Sequence, residues 1–194
     1  MSSVSLQTWM TTGMQALDQI ENVHAQVGGA GPGRRYATEQ INRAYVMLLS
    51  SHFQEFCRKL HAECVEYLVG TIVIVPVRRV LQTIAGHNLR LDWGNPNAGN
   101  IGIDFNAFGI TFWPDVKAYD RRKETRHKAL ETLNLWRNAF AHNDFSKKEL
   151  GGRKNVRLKE VKKWRSACNG LARSFDEVMR RHLRLWLGQS PWVK

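Results

Sequence analysis

Apolar residues recur along most of this chain at intervals of three and four, the pattern of helices that each bury one stripe. Met10, Met14, Leu17, Ile20 and Val27 predict a first helix from Leu6 to about Val27. Gly28 to Gly33 (GGAGPG) ends it. No strand precedes this run and no Lys-Ser or Lys-Thr follows, which favours a linker over a phosphate cradle. Ile41, Tyr45, Leu48, Phe53, Phe56 and Leu60 predict a second helix over about Thr38 to Val69, long enough to be the spine of a bundle. Thr71 to Val75 is β-branched, but Pro76 follows and Val77, Val80, Leu81 and Ile84 return to helical spacing. A buried connector leading into a short third helix, with Pro76 in its first turn, is the expectation.

An irregular insert is expected near residues 86–116, because Gly86 to Trp113 holds five glycines and five aromatic residues. Trp93, Phe105, Phe108, Phe112 and Trp113 would either plug the end of the bundle or offer stacking surfaces to bases. Lys117 to Ala141 has no Pro or Gly and reads as helix, with Ala129, Leu133, Trp136 and Phe140 on one face. The last helix, about Val156 to Leu187, carries Val161, Trp164, Cys168, Leu171, Phe175 and Val178 as a seam. The chain is therefore expected to be all-α, a bundle of four to five helices in one domain. An N-terminal helix (6–27) and a linker (28–33) would precede a bundle core (36–187).

At 194 residues and 43% hydrophobic content, the chain can bury a core without metal or disulfide staples. Three cysteines and no secretory signal suggest a reducing, cytoplasmic setting. No apolar run approaches the ~20 residues a membrane helix needs, so no membrane partner is expected. The charge is asymmetric. Residues 146–194 hold 14 basic and 4 acidic side chains and so supply most of the net +12. Lys147, Lys148, Arg153, Lys154, Arg157, Lys159, Lys162 and Lys163 lie in this stretch. They are either a solvated helix face or a surface that grips nucleic-acid phosphates.

Just before that basic stretch stands Arg137-Asn138-Ala139-Phe140-Ala141-His142. On a helix Asn138 and His142 stack one turn apart, while Arg137 falls on the flank of the apolar stripe. A guanidinium, an amide and an imidazole so placed form a minimal kit for handling phosphate. Each also has a structural alternative: Arg137 could pair with Glu63 or Glu66 across the bundle, and His142 could be a C-terminal histidine favoured by the helix dipole.

Arg, a polar residue, three further positions and His is the hallmark of the HEPN superfamily, and this hexapeptide resembles it. Leu135-Trp136-Arg137-Asn138, Ala141 to Phe145, Ala44 to Leu60 (AYVMLLSSHFQEFCRKL) and Leu91 to Asn97 (LDWGNPN) are similar to the RiboL-PSP-HEPN branch. The resemblance runs from roughly Tyr36 to Leu187. One departure is Gln54, which follows Phe53 where many relatives carry a carboxylate; Glu55 points about 100° away.

The resemblance implies an HEPN-like bundle and a homodimer in which two copies of the Arg137 to His142 helix line one cleft. It also implies a metal-independent endoribonuclease, a toxin or defence effector with an antitoxin or sensor as a further partner. Arg137, Asn138 and His142 would be its catalytic residues. RNA is cut without metal when its 2′-hydroxyl attacks the adjacent phosphate, leaving a 2′,3′-cyclic phosphate. That step needs a base, an acid and a cation, and no cofactor. The alternative is a non-catalytic HEPN module that binds nucleic acid, a nucleotide or a protein. Cys57, His61 and Cys64 share one helix face, but no second ligand cluster accompanies them and no metal site is expected. His182 sits on the last seam and reads as packed or interfacial, and His52 and His87 have no supporting partners in the sequence.

Overall fold

The structure, a computed structural model, describes residues 1–28 and 34–192; most of the expected glycine-rich linker lies outside the described residues. Among the described residues the chain is all-helical, with no strand. The first helical stretch begins slightly earlier than expected and is not one regular helix. Helix α1 (Val4–Thr8) passes through a π-helical turn, Trp9–Gly13, into α2 (Met14–Val27). Ser3 Oγ accepts from Leu6 N at 2.9 Å and caps α1. The preceding orphan amides go to distant carboxylates: Ser3 N to Asp176 (3.0 Å), Val4 N and Ser5 N to Glu63 (2.9 and 3.0 Å). Burial pushes the Asp176 carboxyl above its usual range, and the bonds from Ser3 oppose that rise.

Helix α3 (Arg34–Gly70) is the spine, burying Tyr45, Leu49, Phe53 and Leu60 completely. Pro76 stands in the first turn of α4 (Val75–Gly86) as the sequence predicts. The connector before α4 is exposed rather than buried, with Val73 at 87% exposure, and α4 buries none of its own residues.

The expected irregular insert is mostly helical: α5 (Arg90–Trp93), α6 (Ala98–Asn106) and α7 (Phe112–Tyr119). Tertiary and capping bonds outweigh its glycine content. The buried Asp104 carboxylate accepts from Arg90 N and Leu91 N (2.8 and 2.9 Å) and so caps α5, while Asn97 Oδ1 accepts from Asn100 N (2.8 Å) and caps α6. Gly102 lets the Trp113 indole lie against α6, where a Cβ would meet the ring at 3.0 Å. Phe105 stacks on Phe112 at 4.4 Å, and Phe112 meets Phe175 edge-on at 4.9 Å, so these aromatics pack the core.

The helix expected over Lys117 to Ala141 is likewise broken. Helix α7 stops at Tyr119 and α8 (Lys123–His142) begins three residues past Asp120. Asp120 accepts from Arg122 N (2.8 Å), Arg126 Nη1 (2.6 Å) and Ser174 Oγ (3.2 Å), so a buried carboxylate fixes the corner. A short 3-10 turn, Lys148–Leu150, precedes α9 (Leu158–Leu187). Helices α8 and α9 pack on each other and on α3, and this is the frame that holds the Arg137 to His142 hexapeptide at a helix end.

Candidate functional site

Leu130, Leu133, Trp136 and Ala139 turn into the core, which fixes how α8 faces the rest of the bundle. Arg137 and Asn138 are left half-buried beside that stripe, and His142 is exposed as the last residue of α8. Asn143 then takes the left-handed conformation, φ 50°, that closes the helix.

Asn138 is the best-defined group here. Its Oδ1 accepts from Arg137 Nη1 (3.1 Å) and from Asn95 Nδ2 (2.9 Å). Two donors on one oxygen fix which way the amide lies. Nδ2 therefore remains a donor, with no hydrogen-bond partner among the described residues. Asn138 and His142, with Leu135, Ala139, Asp144 and Lys147, line an open groove of about 240 Å³. The Asp144 carboxyl is held below its usual range chiefly by bonds from Ser146, with smaller contributions from the charges of Lys147 and His142.

Arg137 does not line this groove. It leaves the helix about 140° around from His142, as a five-residue separation requires. Neither alternative partner takes it: Glu63 is occupied by Val4 and Ser5, and no carboxylate among the described residues lies within salt-bridge reach of Arg137. Its cation is linked to the groove through Asn138.

The stretch Leu91 to Asn97 is docked onto this end of the molecule by side-chain amides, of which the sequence singled out Gln54 and Asn138 but not Asn95, Asn97 or Asn134. Gln54 Nε2 donates to Leu91 O (2.5 Å) and Gly94 O (2.7 Å), and Asn134 Nδ2 donates to Pro96 O (3.0 Å). Asn97 Nδ2 donates to Asn95 Oδ1 (2.7 Å), which leaves Asn95 Nδ2 for Asn138. Four asparagines within or opposite one short turn were the available signal. Trp93, two positions before Asn95, is 83% exposed, unlike Phe105 and Phe112.

The basic residues divide. Lys147 lines the groove, and Lys148, Lys154, Arg157, Lys159 and Lys163 are exposed without an ion pair among the described residues. Arg153 is engaged: its guanidinium grips both oxygens of Glu160 (2.9 and 2.7 Å) and lies over Trp136 at 5.3 Å. Lys162 pairs with Glu21 at 2.8 Å.

Cys57, His61 and Cys64 are all buried, and no cluster of potential metal ligands occurs among the described residues. Burial pushes the Cys57 and Cys64 thiols well up, which leaves them unreactive. His182 Nε2 lies 3.0 Å from Asp115 Oδ2 and its ring packs on Trp186, a packed position as the sequence suggests. Set against protein-family models, curated proteins and solved structures, the chain matches none of them.

Proposed function

We propose that this chain is a metal-independent endoribonuclease of the HEPN type, working as a homodimer in the manner of a toxin or defence effector. The observation that carries the reading is the unpaired Asn138 Nδ2, oriented by Arg137 and Asn95, beside the exposed imidazole of His142 in one groove. A phosphate oxygen there would meet an amide donor, with the charges of Lys147 and Arg137 close by. Trp93 would stack a neighbouring base, and the unpaired lysines would hold the flanking backbone.

In the reaction His142 of one protomer takes the proton of the 2′-hydroxyl, and its oxygen attacks phosphorus. The bond from phosphorus to the 5′-oxygen breaks, and His142 of the partner subunit gives that oxygen a proton. Arg137 offsets the charge that builds on the phosphorane. Two copies supply the base and the acid that a single histidine cannot supply in one step.

The second reading is a module that grips nucleic acid, a nucleotide or a partner protein without cutting. One observation favours it: Arg137 and His142 leave α8 in different directions, so cation and imidazole do not converge within one protomer. An end-labelled single-stranded RNA incubated in EDTA separates the two. Cleavage is expected, with 2′,3′-cyclic phosphate ends, and His142→Ala and Arg137→Ala are each expected to lose about 10² to 10⁴ in rate while still binding RNA. Cleavage that needs a divalent metal, or that survives His142→Ala, refutes the enzyme reading, and RNA bound but uncut supports the second. Light scattering should report a dimer; a monomer at micromolar concentration with and without RNA overturns the composite site.

A further inference from the structure

His61 on α3 is 1% exposed, and neither Nδ1 nor Nε2 has a hydrogen-bond partner. A buried ring whose nitrogens lack a partner is uncommon, since each unmet group keeps its full desolvation penalty. The ring packs edge-on against Phe105 at 5.6 Å and tilted on Phe108 at 4.8 Å, which accounts for its faces and not for its nitrogens. Burial pushes the imidazole below its usual range, against the opposing charge of Asp104 and a backbone contact with the same residue, and a neutral ring offers one donor and one acceptor.

His61 sits where two clefts flanking α4 meet. One, about 590 Å³, is lined by Glu55, Arg58, Lys59, Glu66 and Asp92 and is charged. The other, about 490 Å³, is lined by Val65, Leu68, Ile84, Leu89, Ile103 and Phe108 with His61 at its floor. That volume is within the range of small-molecule sites, and a largely apolar wall with a few polar groups, here His61, His87, Asn88 and Asp104, is their usual composition. The polar remainder of this cleft includes Asp104, whose carboxylate already accepts two backbone amides and would repel an anion. Helix α4 contributes Ile84 and Ala85 to the cleft wall while burying none of its own residues, so a small outward shift of this wall costs little.

We infer that the cleft between α3, α4 and α6 is a binding site for an uncharged, largely apolar small molecule that hydrogen-bonds His61 through a hydroxyl or carbonyl. The site is separate from the α8 groove and does not depend on what that groove does.

The test uses the full chain with 4-propylphenol and propylbenzene as probes, followed through the His61 ring nitrogens by NMR. Saturable shifts of those nitrogens with 4-propylphenol, and affinity about tenfold above propylbenzene, are expected; tenfold is the effect of one hydrogen bond in a dry site. In His61→Leu the tenfold preference should vanish while propylbenzene still binds. Ala107→Trp, at an exposed position lining the cleft, should block both probes and carries the test if His61→Leu does not fold. No saturable response at His61, or binding untouched by Ala107→Trp, overturns the inference and leaves a water-filled cavity.

Discussion

Gln54→Glu exchanges an amide nitrogen for an oxygen at a position where two carbonyls converge. Gln54 Nε2 serves both Leu91 O and Gly94 O, and no carboxylate can donate to either. Two lost bonds at about 1 kcal/mol each, plus a half-buried anion facing two carbonyl oxygens, amount to about 3 kcal/mol, a large share of a typical 5–15 kcal/mol stability. Gln54→Leu loses the same bonds without the charge and should cost at least 1 kcal/mol less. The new carboxyl would have its folded pKa raised above the ordinary ~4.3. A raised pKa stabilises below the unfolded value and is lost as pH rises through the folded one, so the Gln54→Glu penalty is full at pH 7 and shrinks near pH 4. Urea denaturation followed by circular dichroism at both pH values measures it. A Gln54→Glu protein as stable as the parent at pH 7, or less destabilised than Gln54→Leu, refutes the reasoning. If the proposed cleavage holds, the substitution also loosens Asn95 from Asn138, so RNA cleavage should fall.

Replacing Lys147, Lys148, Lys154, Lys159 and Lys163 by glutamine should weaken RNA binding for all sequences alike and flatten its salt dependence, as a filter-binding titration against salt would show. Arg153→Ala should instead lower thermal stability by about 1–2 kcal/mol, because it breaks the Glu160 pair and the contact with Trp136. Glu177 is held at about 2 by Arg180 first and then Arg181, far below its ordinary 4.5. A depressed carboxylate stabilises above its unfolded value, so about 1 kcal/mol should be lost between pH 4.5 and 2 and be absent from Glu177→Gln in an acid-denaturation series.

The long periodic segments were legible because packing there follows local spacing: the α9 seam buries each residue that repeats, and the α3 stripe buries all of its own but Ile41 and Leu48, which are half-buried. What the sequence concealed is set by distant partners. Asp120 ends a helix because Arg126 and Ser174 reach it, and the insert coils into helices because Asp104 and Asn97 cap them. At the candidate site, the shared groove of Asn138 and His142 follows from one-turn spacing. The orientation of the Asn138 amide does not, since its second donor, Asn95, lies 43 residues earlier in the chain. The connector at Thr71 to Ile74 misled for a related reason: β-branched residues favour burial only where something is present to cover them.

The bond from Ser3 N to Asp176 spans 173 positions, and its consequence is one of timing. A ribosome adding about 5–20 residues per second needs roughly 10 to 35 s to bring the second partner out after the first. Until then α1 lacks the carboxylate that ties it to α9, and α8, though fully synthesised, lacks the long helix its apolar stripe packs against. The groove at the end of α8 thus takes its final form after almost everything else in the chain has been made. A nascent chain stalled before α9 would carry the hexapeptide without the frame that orients it.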